Sequence, residues 1–176
     1  MRVIGLAAAA AVVAAAFGPG KYVARMNYTN LYFMPGVFNR VTARRGLLET
    51  VMQAIGQVPG VFRVIDSRTL DPHAVASDPY VQAAALSEFP GRSGDLIVLP
   101  KMNWIWVPTA PGDPTTHGTS YPYDQRVPLL LMGTGVRPGR YEQSATPADI
   151  APTLAKIAGV ALPGATGRAL DEAVLK

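Results

Sequence analysis

Apolar residues along this chain come in short blocks that alternate between strand-like and helix-like spacing. Residues 22–26 and 30–33 are brief segments rich in tyrosine and valine, as strands are, and Pro35-Gly36 closes the second. Leu47, Leu48, Val51, Met52 and Ile55 then recur at the spacing of one helix face. A helix over residues 43–58 is expected there, capped by Thr42 and stopped by Pro59-Gly60. Residues 61–66 read as a strand, and Asp78 before Pro79 is the cap and first turn of a helix reaching residue 88. Residues 95–99 are a compact apolar run, suited to a strand buried on both faces. Residues 101–107 extend or follow it, with Trp104 and Trp106 on one face.

Residues 127–132 read as another buried strand, with Pro128 near its start, where a missing donor is tolerated. A last helix is expected from Asp149 to residue 158, with Pro152 in its first turn and Gly159 as its left-handed terminator. This alternation predicts an α/β domain with a mostly parallel central sheet over residues 18–176.

The first seventeen residues read in two ways. Arg2, an uncharged run from Val3 to Phe17 and Ala14-Ala15-Ala16 match the charged, apolar and small-residue regions of a secretory signal peptide. The same alanines favour a helix of the domain itself, ended by Gly18-Pro19-Gly20. The run is short of the roughly 20 apolar residues of a membrane span.

With 49% apolar and 16% charged residues in 176, the chain has the composition of one folded domain and not of a disordered segment. A net charge of +4 suits anionic substrates without the dense basic stripe of a nucleic-acid binder. Arg40, Arg44 and Arg45 are the one basic cluster and read as a solvated helix face. No cysteine is present, so disulfides and thiolate metal sites are excluded. A metal would need histidine, carboxylate or partner groups.

The chemistry-bearing segment is the loop over residues 112–124, between two expected strands, where α/β folds collect ligand sites. It holds His117, followed by Gly118. By itself a loop histidine is more often a hydrogen-bonded surface or core group than a metal ligand. The other histidine, His73, has nothing convergent around it and reads as a surface residue.

Thr115-Thr116-His117-Gly118, then Tyr123-Asp124-Gln125-Arg126-Val127-Pro128-Leu129-Leu130-Leu131, resembles the C-terminal signature of the alkaline phosphatase superfamily, in its exported phosphomonoesterase and type I phosphodiesterase/nucleotide pyrophosphatase branches. Asp149-Ile150-Ala151-Pro152-Thr153-Leu154 is similar to a later helix of that family, and Gly167-Arg168-Ala169-Leu170 to its closing element. The resemblance is strongest over residues 94–175.

It implies an incomplete three-layer fold of the alkaline phosphatase type, and a phosphate ester as substrate. It also implies an exported or periplasmic location, and two zinc ions that activate a Thr or Ser nucleophile and clamp the transferring phosphoryl group. His117 matches the family's last metal-ligand histidine, and Asp124 would order the loop. The family's nucleophile and its Asp-His pair have no counterpart here, and two histidines cannot furnish two zinc sites.

The expectation is therefore the C-terminal segment of a zinc-dependent phosphate-ester hydrolase, inactive alone because the nucleophile and most metal ligands are absent, with an N-terminal half missing. An exported non-catalytic α/β module and one half of a split enzyme are the alternatives.

Overall fold

The apolar run after Asp95 forms the strand on which the rest of the chain is assembled. In the computed structural model, which describes residues 2–74, 76–106 and 117–175, with side chains from residue 6 onward, this strand is Leu96–Pro100, buried at every position. With β1 (Val23–Asn27), β2 (Asn30–Phe33) and β3 (Val61–Asp66), it makes a four-stranded sheet in the order β1-β2-β4-β3, where β4 is Leu96–Pro100.

Alternation along β4 separates two cores. Leu96 and Val98 face a cluster with Leu31, Val61, Val51 and Ile55, whereas Ile97 and Leu99 face Ile65 and Ala84. The first face is covered by α1 (Arg2–Phe17), α2 (Val37–Ala43) and α3 (Leu47–Gly56), and the second by α4 (Pro79–Ser87). Helices on both sides of a sheet give three layers, the α/β class expected.

The expected strand direction is corrected: every described pairing in this sheet is antiparallel. The alternation of strand and helix suggested crossovers, but the stretch between β3 and β4 is an excursion that returns to its starting point. Ser67 N–H donates to Asp95 C=O at 3.2 Å, so the segment carrying α4 leaves and re-enters the same end of the sheet. β1 and β2 are joined by the two-residue turn Tyr28-Thr29, which allows only antiparallel pairing.

The helix expected over 43–58 is shorter, α3 over Leu47–Gly56, and α2 ends before it at Ala43. Arg44 turns to an extended conformation and Gly46 takes φ +76°, a left-handed geometry costly for any residue with a Cβ, so α3 starts afresh at Leu47. α1 lies in the first core, with Ala9 and Val13 fully buried one turn apart. Its last turn is held from α2 and the residue after it: Arg44 Nη1 donates to Ala16 C=O at 2.6 Å, and the Arg40 guanidinium sits 4.3 Å from the Phe17 ring. Two of the three arginines read as a solvated face thus make specific contacts.

The chain divides into two compact units, Met1–Arg126 and Val127–Lys176. The second is built around α6 (Ile150–Ala158), ended as expected by Gly159 at φ +68°. Asp149, just before α6, accepts from Thr146 N–H at 2.7 Å and from Arg168 N–H at 2.8 Å. Thr153 Oγ1 donates to Asp149 C=O at 2.6 Å and accepts from Leu170 N–H at 2.9 Å. A Cβ on Gly167 would lie 2.2 Å from Ala148 C=O, so glycine is required at that closing position. The strand expected over 127–132 is absent. Those residues have no regular secondary structure and are exposed except for a half-buried Leu131, because no described strand lies beside them to complete a ladder.

Candidate functional site

His117 is exposed and opens the segment that leads into α5 (Pro122–Gln125). Gly118 follows at φ +109°, a conformation that turns the chain sharply beside the imidazole. Three interactions hold the segment. Asp124 Oδ2 accepts from Thr119 N–H at 2.5 Å. Tyr121, buried, donates its hydroxyl to Pro100 C=O at 3.0 Å, tying the segment to the end of β4. Asn103 N–H donates to the Tyr123 hydroxyl at 3.1 Å.

Tyr121 is further wedged among rings: Tyr123 stacks on it at 5.7 Å and 9°, and Tyr80 meets it edge-on at 5.4 Å. Burial pushes the Tyr121 hydroxyl above its ordinary value, with Tyr80 and Tyr123 adding to the shift, so it stays a neutral donor. The Asp124 carboxyl is held below the usual carboxylate range. The Thr119 N–H is the main cause, and the Thr119 hydroxyl, the Gly118 N–H and the charge of His117 reinforce it. Asp124 is thus an ionised hinge pin of the loop, the ordering role expected of it.

A shallow hollow of about 20 Å³, enough for one water, borders His117. Tyr28 and Thr29 of the β1–β2 turn and Trp106 share its lining. Trp106 is fixed by its Nε1–H, which donates to Val98 C=O at 3.3 Å, while Trp104 is exposed. His73 is exposed, as expected, with its N–H donating to the Asp71 carboxylate at 2.8 Å.

Among the described residues, no three His, Asp or Glu side chains converge to hold a metal ion. His117 is one donor, and the nearest described carboxylate along the chain, Asp124, is engaged by backbone N–H groups, so the described residues do not make a metal site. The sequence does place Asp113 four residues before His117, an Asp-x-x-x-His spacing. Asp113, like Thr115 and Thr116 of the motif, lies outside the described residues.

No protein-family model matches the chain. Alkaline phosphatase PhoK of Sphingomonas sp is 30% identical over 152 residues, 81% of this chain and 27% of PhoK. A crystal structure of a mutant of alkaline phosphatase PafA matches with a TM-score of 0.75 and 25% identity, over 95% of this chain. The chain belongs to the alkaline phosphatase superfamily. PafA of Elizabethkingia meningoseptica is also 34% identical over 84 residues, 47% of this chain. Coverage is one-sided. The aligned parts amount to 15% of PafA and 27% of PhoK, and the structural match to 32% of the PafA chain. This alkaline phosphatase-like chain therefore spans less than a third of the relatives it matches.

Of the anchors of the His117 loop, Asp124 was expected from the sequence and Tyr121 was not. Tyr121 looks like one more loop tyrosine there. Its role exists only because β4 ends beneath it and Tyr80 stands beside it.

Proposed function

We propose that this chain contributes one corner of a metal-dependent phosphate-ester hydrolase site, with His117 as a zinc ligand, and that it does not hydrolyse such esters alone. The observation that carries this reading is the placement of His117 on a sharp turn pinned by Asp124 and Tyr121, within a chain similar to alkaline phosphatases. A histidine held this way is presented to solvent with little freedom, as a metal ligand must be. The remaining ligands and the nucleophile belong to the part of the fold not represented among the described residues. Monoester and diester substrates both fit this reading, as does an exported location inferred from the family resemblance. Residues 2–17 act in it as a helix of the domain, supported by the burial of Ala9 and Val13.

Zinc titration of the full chain and of His117→Ala tests the ligand role. Weak binding by the parent is expected, reduced in His117→Ala and unaffected by His73→Ala. Equal binding by the parent and His117→Ala would remove the role. Zinc-dependent turnover of a chromogenic phosphate ester by the chain alone would remove the incomplete-site reading.

A further inference from the structure

Positive charge gathers at the end of α1 and is left unneutralised by the fold. Arg40 on α2, Arg44 one turn further along and Arg45 beside it are exposed, as is Lys21, four residues after Phe17. Among the described residues, none of the four is paired with a carboxylate, whereas Arg63 and Arg68 in the same unit are paired with Asp78 and Asp66. Like charges placed this close repel one another unless an anion joins them.

Two of these cations are ordered by one ring. The Arg40 guanidinium lies 4.3 Å from the centre of Phe17, and the Arg44 guanidinium 5.9 Å from the same centre. The ring is itself tilted against Tyr22 at 6.2 Å, and the Tyr22 hydroxyl closes the turn by donating to Gly18 C=O at 2.8 Å. Securing the end of α1 takes only one cation, and Arg44 already gives Ala16 C=O its donor at 2.6 Å. The second guanidinium adds repulsion, and its N–H groups meet no acceptor among the described residues. Stacking holds a guanidinium by its face and leaves its in-plane donors free to bind. One carboxylate saturates one such fork with its two oxygens. A pair of forks one turn apart suits an anion with more oxygens and two charges.

We propose that Arg40 and Arg44, ordered by Phe17, form a binding site for a dianionic phosphate group. The two guanidiniums donate to its oxygens, and Phe17 positions them before the anion arrives, so little side-chain freedom is lost on binding. Arg45 and Lys21 raise the local concentration of the anion without gripping it. The site uses no residue of the His117 loop and does not rest on the metal-ligand reading.

The test titrates the 176-residue chain, without added metal, with inorganic phosphate and separately with vesicles of phosphatidylglycerol in phosphatidylcholine. The readout is the Nε–H resonances of Arg40 and Arg44, and saturable shifts of both are expected. Saturation by inorganic phosphate assigns a free anion as the ligand, and saturation by the vesicles alone assigns a lipid headgroup. Arg40→Lys keeps the charge but loses the fork, and should weaken binding at least about tenfold. Phe17→Leu keeps the apolar bulk but removes the ring, and should weaken binding roughly threefold, whereas Phe17→Tyr retains it. Arg45→Lys and His117→Ala should leave binding unchanged. No shift with either probe, shifts that never saturate, or full binding by Arg40→Lys or Phe17→Leu would overturn the proposal. So would loss of binding in His117→Ala, which separates this outcome from the fate of the metal-ligand reading.

Discussion

Asp124 and Thr119 close the loop that carries His117: the carboxylate accepts the Thr119 N–H at 2.5 Å, across five residues of chain. The bond explains why a short, solvent-facing segment rich in threonine and tyrosine keeps one shape. Tyr121, inside the same ring of residues, fixes that shape to the end of β4.

Asp124→Ala should therefore loosen the loop more than it destabilises the unit. A partly exposed, charge-assisted bond of this kind contributes about 1 kcal/mol. Amide exchange at Thr119 is the sensitive measurement, and faster exchange there with little change at Leu99 is expected. Unchanged protection of Thr119 would show that the carboxylate is dispensable.

Tyr121→Phe keeps the ring stack but removes the hydroxyl from Pro100 C=O. A net loss of about 1 kcal/mol is expected, the usual scale for one neutral hydrogen bond. Chemical denaturation should show it as a lower midpoint with an unchanged slope. A loss several times larger would mean that the stack itself depends on the hydroxyl.

In the second unit, Thr153 and Gly167 should be the least replaceable residues. Thr153→Val leaves the buried Leu170 N–H without its acceptor, at a cost of about 1–3 kcal/mol. Gly167→Ala pushes a methyl into the Ala148 backbone, at a cost of roughly 3 kcal/mol, the upper part of the overpacking range. Thermal melts followed by a probe within residues 127–175 should record both, while Ala165→Ser nearby on the exposed surface should be silent.

Acid should act on the second unit through Asp149. The Thr146 N–H, and after it the Arg168 N–H, hold the Asp149 carboxyl below the usual carboxylate range. A depressed carboxyl pKa means that its stabilisation is complete above the unfolded value of about 3.9 and disappears as pH falls through the folded value. Asp149→Asn should thus melt lower than the parent at pH 7 and converge with it in strong acid. Parallel curves would contradict this assignment. Asp95 works in the opposite sense in the first unit. Burial raises its carboxyl, with nearby Asp66 adding to the shift against the Phe33 N–H, so its cost is present at neutral pH and is relieved as pH falls through its raised value.

The parts legible from sequence are those in which neighbours along the chain decide the outcome. Residues 95–99 read as a doubly buried strand from their own apolarity, offset by one residue from the observed Leu96–Pro100, and Gly159 as a helix stop from its own freedom of φ. What failed depends on distant partners. The antiparallel β3–β4 pair is set by where Ser67 and Asp95 meet, which no local pattern records. The start of α3 was placed too early because Thr42 has the chemistry of a cap, whereas the apolar spacing begins only at Leu47, after Gly46. Residues 127–132 have the composition of a buried strand, but composition does not supply the neighbours that bury it. At the candidate site, the loop-ordering place of Asp124 was legible through the motif that singles out His117. Tyr121 was not, because its partner Pro100 lies 21 residues back.

The return of the chain to one end of the sheet between β3 and β4 has a consequence for cleavage. Residues 68–94 form a closed detour, anchored where Ser67 meets Asp95, and the exposed turn at residues 71–74 lies within it. A protease cutting that turn would sever the polypeptide without separating its pieces, because the β3–β4 ladder clasps one fragment to the other. Nicked protein should run as two bands in denaturing gels and as one species in native buffer, with the His117 loop still seated on β4.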